Sequence, residues 1–210
     1  MHGEQFGSRP ALWLEPAHLH FHHGDSARVK VLWGPAMKRD KPEQPVNWTG
    51  LVKEPGGHEY NVPVVLDRDG FNYELVFDGG PEGVYMAQAE HQAGKCHYLA
   101  RVMVPFGHHV HGHGVALNRG LEIVPGDCGE FHAGDTVDLT VLDDGKPLAG
   151  TMLLATYHIY DGEGFVRELL TDGQGVLQFA FDAKGHWMFL ARTTRGEDEY
   201  ITTLVIPGVR

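Results

Sequence analysis

The stretch "TVDLTVLDDGK", Thr136 to Lys146, decides the fold class. Val137, Leu139 and Val141 alternate with Asp138 and Thr140. An extended chain therefore turns an apolar face to a core and a polar face to water. The Asp-Gly pair that follows supplies the left-handed backbone of a tight hairpin. The same grammar recurs along the chain. Turn signals stand at "EPGG" (54–57), "DRDG" (67–70), "DGGPEG" (78–83), "DGEG" (161–164) and "DGQG" (172–175). Between them lie "ARVKVLW", "FNYELVF", "VLQFAF", "HWMFLA" and "ITTLVI", all with a period near two. No amphipathic helix of convincing length interrupts them. These features predict an all-β protein of β-sandwich architecture.

A chain of 210 residues with 42% apolar content can bury one large core or two small ones. The Gly-rich segment "HGHGVALNRG", 111–120, lacks a strand pattern and reads as a boundary. It gives two sandwich modules, an N-terminal one over 1–115 and a C-terminal one over 116–210. The formal net charge is −11 and no Lys/Arg run occurs, which excludes a nucleic-acid footprint. A negative field raises the local concentration of cations. No apolar run approaches the roughly 20 residues that span a bilayer, so the chain is not expected to be membrane-embedded. The first ten residues, "MHGEQFGSRP", lack the apolar core of a signal peptide. That fits a cytoplasmic protein or an exported one whose leader has been removed. Cys96 and Cys128 lack CxxC spacing. They read either as one disulfide or as two thiols.

The chain holds 15 histidines, and three groups of them suggest metal. In "GHHVHGHG", 107–114, His109, His111 and His113 alternate, with His108 opposed. Neutral imidazole ligates nickel, cobalt, zinc and copper(II). Gly107, Gly112 and Gly114 give the backbone freedom to shape a site. The competing reading is a solvated polar loop. In "EPAHLHFHHGD", 15–25, His18, His20 and His22 alternate with Leu19 and Phe21. As a strand this segment places three imidazoles on one face, with His23 and Asp25 at the following turn. The competing reading is the solvent face of an edge strand. The third is His2, where an N-terminal amine beside an imidazole makes a chelate for square-planar nickel or copper. The competing reading is an uninvolved terminus. Whether the first two clusters share an ion is open at this level. His58, His91 and His97 stand isolated, and His132, His158 and His186 are dispersed.

Catalytic signatures are absent: no GxSxG, HExxH or phosphate-cradling loop occurs. "HVH" resembles the HxH element of a cupin. Gly112–Gly120 lacks the Glu that should follow, and the second cupin element has no match. A β-fold metalloenzyme remains the alternative, with Glu122 or Glu130 as general base. An exported structural or interaction module without metal is a further alternative.

Several phrases taken together resemble a known family. They are "ALWLEP" (11–16), "GDSARVKVLWG" (24–34), "HYLARVMVP" (97–105) and "LEIVPGD" (121–127). "FHAGDTVDLTVLDDGKPLAGTMLLA" (131–155), "TDGQGVLQFAFDAKGHWMFLA" (171–191) and "TTLVIPG" (202–208) complete the set. The order is similar to that of a bacterial family of exported domains of unknown function, described as periplasmic components associated with nickel or cobalt uptake. The resemblance covers nearly the whole chain from Ala11. Its closest motifs, "AGDTVDLTVLDDGKPLAG" and "TDGQG", are structural and resemble transthyretin-like and immunoglobulin-like sandwiches. The resemblance implies export, a C-terminal module of that type, and capture or delivery of Ni²⁺ or Co²⁺ for a membrane transporter. One position departs from the family pattern. A His commonly lies two residues before the "LW" element, where this chain has Pro10. His2 and the His18–His23 cluster are the candidates to replace that ligand.

Overall fold

The alternation at Thr136 is realised as a strand in which Val137, Leu139 and Val141 are buried and Asp138 is exposed. At the turn after it, Asp144 and Gly145 take φ values of 49° and 76°. These suit the Asp-Gly hairpin read from the sequence. The computed structural model describes residues 9–40, 48–67, 70, 72–108 and 110–210. Over these residues every regular element is a strand, and no helix is long and apolar enough to cross a membrane.

In chain order the N-terminal half supplies β1 (Ala11–Pro16), β2 (Ser26–Gly34), β3 (Thr49–Lys53), β4 (Glu59–Val62), β5 (Val64–Leu66), β6 (Tyr73–Asp78), β7 (Gly83–Ala93) and β8 (Cys96–Phe106). The C-terminal half supplies β9 (Leu121–Pro125), β10 (Thr136–Asp143), β11 (Lys146–Pro147), β12 (Met152–Tyr157), β13 (Arg167–Leu170), β14 (Val176–Ala180), β15 (Gly185–Arg195) and β16 (Asp198–Val209). One small sheet runs β1-β2-β6-β5. A second runs β11-β10-β14, with β9 also on β10. The large sheet has eight strands in the order β13-β12-β15-β16-β8-β7-β3-β4.

One parallel ladder joins the halves. β16 returns from the C-terminal half and pairs with β8, from Glu199 opposite Cys96 to Val205 opposite Val102. The large sheet is therefore continuous across the seam. Alternate side chains on its strands enter different cores. On β8, Ala100, Val102, Val104 and Phe106 pack with Leu12, Leu14, Val29 and Leu75 of the first small sheet. Met103 of the same strand packs with Ile123, Val137 and Leu139 of the second. On β16, Val205 joins the first core while Leu204 and Ile206 join the second.

The two small sheets thus cover opposite faces of one shared sheet. The protein is all-β and layered as sandwiches, as the sequence predicts. The two halves meet through a common sheet, a feature the sequence reading did not include. Burial on both faces accounts for the near-continuous apolar runs "YLARVMVPF" and "ITTLVI". Residues 111–120 run between β8 and β9 without joining a strand.

Candidate metal centre

One buried side chain positions the first histidine cluster. Phe21 is 3% exposed and stacks on Phe106 with ring centroids 5.2 Å apart. Its N–H donates to the Pro105 carbonyl at 3.0 Å, and its own carbonyl accepts from Gly107 N–H at 2.8 Å. This is an isolated parallel bridge, in place of the strand expected over His18–His22. The reason lies in β8. Its pairing with β16 ends at Val102, and β7 covers its other edge. Only the last few residues of β8 offer unpaired groups, enough for one bridge.

With Phe21 turned inward, His20 and His22 turn outward. His108 follows β8 directly and meets them. Ring centroids are 5.8 Å apart for His20–His22, 5.6 Å for His20–His108 and 5.0 Å for His22–His108. A ring nitrogen ligates at about 2.0–2.1 Å, which puts its ring centroid roughly 3.2 Å from the ion. Three rings about a tetrahedral ion then sit about 5 Å apart. The three imidazoles are near that spacing, and all are exposed, so their rings can turn. Turning is required. Among the described residues no group of three His, Cys, Asp or Glu is already set to hold a metal ion.

The flanks of the cluster are fixed by the 79–82 turn. His23 Nδ1 lies 2.9 Å from the Gly80 carbonyl. A carbonyl only accepts, so Nδ1 carries the proton and Nε2 keeps its lone pair. Metal-bound histidines are held in this way. Asp25 accepts the His22 N–H at 2.7 Å, and its carbonyl accepts from Gly79 at 3.0 Å. The Glu82 carboxyl carbon would lie 3.1 Å from a Cβ placed on Gly107, the residue before His108. The motif "DGGPEG" reads as a turn. Nothing in its spacing marks Glu82.

The remaining predicted ligands lie elsewhere. His18 packs edge-on against Phe21 at 5.7 Å. His111 rests on Gly129, its Nδ1 2.8 Å from where a Cβ would stand. His113 Nδ1 donates to the Gly126 carbonyl at 2.8 Å. Two backbone bonds hold this segment to the end of β9 and the loop after it: Gly114 N–H to Pro125 O at 2.9 Å and Cys128 N–H to Gly112 O at 2.8 Å. The junction cluster is therefore split. His108 joins the His18–His23 loop, and His111 and His113 join the C-terminal half. His109 and His2 lie outside the described residues.

Glu122 and Glu130, considered above as general bases, are both engaged. Glu122 is fully buried, pairs with Arg101, and accepts the N–H groups of Leu117 and Asn118 at 2.9 and 2.8 Å. Glu130 pairs with Arg210 at 3.3 Å. Cys96 and Cys128 are both free thiols.

A further histidine pair escaped the sequence reading. His158 and His186 follow the register that sets Tyr157 opposite Trp187, and their rings lie 4.5 Å apart. His186 N–H donates to His158 Nδ1 at 2.8 Å, and Gly208 N–H donates to His186 Nδ1 at 3.0 Å. Both Nδ1 atoms accept, so both protons sit on Nε2, the reverse of His23 and His113. Burial above all, and then His158, hold His186 below the ordinary histidine range, against the opposing pull of Glu15. The unfolded chain therefore binds this proton more readily than the folded one. Stability is full above the ordinary value of about 6.5 and declines as pH falls below it toward the lowered folded value. We expect the urea midpoint to drop between pH 7.5 and 5.5, and His186→Gln to flatten that drop. An equal slope in the variant would remove His186 from the account.

Residues 17–195 match DUF4198, a domain of unknown function. The chain belongs to this family. The match takes in the His18–His23 loop and His108, and leaves His2 and Pro10 outside. No curated protein matches the chain. Among solved structures, a DUF4785 family protein from Legionella pneumophila is 15% identical with a TM-score of 0.35, over 85% of this chain and 52% of that one. Salmonella alpha-2-macroglobulin reacted with methylamine is 12% identical with a TM-score of 0.34, over 95% of this chain and 15% of that one. A chimeric titin Z1Z2 tandem is 12% identical with a TM-score of 0.31, over 93% and 94% of the two chains. The chain thus spans about half of the first of these proteins and a smaller share of the second. Likeness at this level carries no information on function.

Proposed function

We propose that this protein is a metal-binding module that holds a divalent transition-metal ion through His20, His22 and His108. The mutual approach of these three exposed rings, 5.0 to 5.8 Å between centroids, is the observation that carries the reading. His23, next to His22 in the chain, keeps the Nε2 lone pair that a further ligand needs. The net charge of −11 favours the approach of a cation. The sequence resemblance supplies the finer assignment: nickel or cobalt as the ion, a periplasmic location, and support of uptake by a membrane transporter. Nitrogen donors of this kind bind copper(II) more tightly than either ion, so selectivity rests on geometry and supply.

Calorimetric titration of protein purified without a nickel column tests the reading, using Ni²⁺, Co²⁺, Zn²⁺ and Cu²⁺. One ion is expected to bind, releasing protons and binding more weakly as pH falls. At a metal concentration 100 times Kd it should stabilise the fold by about 2.7 kcal/mol. The variant His20→Ala/His22→Ala/His108→Ala should lose this binding, and His111→Ala/His113→Ala should keep it. Unchanged affinity in the first variant would overturn the proposal. No heat and no thermal shift with any of the four ions would point instead to a structural or interaction module.

A further inference from the structure

A second donor set, rich in sulfur, lies under the segment that carries His113. Met86 on β7 and Met103 on β8 stand directly opposite each other in the ladder. Both face the second core, at 6% and 3% exposure. Cys128, 5% exposed, packs in the same cluster, and its N–H is pinned to Gly112 O. His113 is tethered through Nδ1 to Gly126 O and so keeps its lone pair on Nε2. Met86, His113 and Cys128 line one cavity of about 10 Å³. That is close to the space a single water needs. Lys53 shares the wall, but its ammonium pairs with Glu59 at 2.9 Å. Cys128 and Met103 also line a second cavity of about 50 Å³, whose wall includes His20.

Thiolate and thioether are soft donors, and imidazole completes the set chosen by copper(I). A thioether binds no proton at ordinary pH, so only the thiol and the imidazole set the proton cost. We propose that Cys128, His113 and the Met86–Met103 pair form a binding site for copper(I), separate from the three-imidazole site. On binding, the thiol S–H bond breaks, an S–Cu bond forms and the proton passes to solvent. No oxidation state changes. Burial pushes the Cys128 thiol up to about 12, so the empty site holds its proton and occupancy releases it.

The test uses the full chain, reduced and free of oxygen, titrated with copper(I) in competition with bicinchoninate. We expect one equivalent to bind, with sulfur scatterers in the X-ray absorption spectrum of the wild-type protein. Cys128→Ser should weaken binding by more than about 100-fold, beyond the usual effect of changing an outer-shell partner. Met86→Leu/Met103→Leu keeps the core volume while removing both sulfurs. It should also weaken binding, with the fold retained by circular dichroism. His20→Ala/His22→Ala/His108→Ala should leave copper(I) affinity unchanged. Equal affinity in Cys128→Ser, a spectrum with nitrogen and oxygen scatterers only, or loss of copper(I) in the triple histidine variant would each overturn the proposal. None of these results bears on the binding of divalent ions at the three imidazoles.

Discussion

Replacing Glu122 with alanine is expected to destabilise the protein by about 3–5 kcal/mol, the cost of leaving a buried charge without its partner. For a chain of this size that lowers Tm by roughly 6–20 °C. Arg101 lies on the β8 face turned toward β9, and both its side chain and that of Glu122 are almost wholly buried, at 1% and 0% exposure. Arg101 Nε donates to Gln88 Oε1 at 2.7 Å, and Nη1 donates to Glu122. Burial holds the Arg101 guanidinium below its ordinary value, and Glu122 pulls in the opposite direction. The same carboxylate also takes the Leu117 and Asn118 N–H groups, so it fixes the path of the linker into β9. Alanine removes all three interactions at once. Arg101→Met/Glu122→Gln removes both charges and leaves an acceptor for the linker amides. It should therefore cost less than the sum of the single changes. Urea unfolding of the wild type, Glu122→Ala, Arg101→Met, Glu122→Gln and the double variant measures both effects. A Glu122→Ala cost below about 1 kcal/mol would show that the pair is solvated in solution.

Phe21→Ala should remove about 3–5 kcal/mol of stability, as expected for a buried aromatic ring cut back to a methyl. It should also weaken Ni²⁺ binding by at least about tenfold, or 1.4 kcal/mol. The two effects share a cause. The Phe21 ring lies between Phe106 and the edge of His18, and its backbone closes the bridge to Pro105 and Gly107. Its neighbours in the chain are His20 and His22. Without the ring, the loop loses the anchor that holds those imidazoles opposite His108. Phe21→Leu keeps most of the apolar contact and should cost less than about 1.5 kcal/mol while retaining metal. Titration of both variants decides the matter. Unchanged affinity in Phe21→Ala would mean that the loop organises its imidazoles without this anchor.

The β class was legible because period-two alternation and Asp-Gly turns are local properties. Val137, Leu139 and Val141 show their face within seven residues. The histidine clusters were legible as composition, and their grouping was not. His109, His111 and His113 alternate in the sequence, yet His111 and His113 are drawn to Gly129 and Gly126 by backbone bonds to the end of β9 and the loop after it. Glu82 left no signal because its nearness to Gly107 depends on the hairpin of β7 and β8. The His158–His186 pair was readable in principle, once β12 was aligned with β15. Their 28-residue separation hid it.

By itself, then, the sequence determined the strands, the turns, the negative field and a surplus of imidazole nitrogen. Each follows from neighbours in the chain. The tertiary structure decided which imidazoles share a space. β16 pairs with β8 only as far as Val102, and this leaves the end of β8 open for Phe21. One backbone bridge at that open edge carries His20 and His22 to His108, residues more than 80 positions away in the sequence.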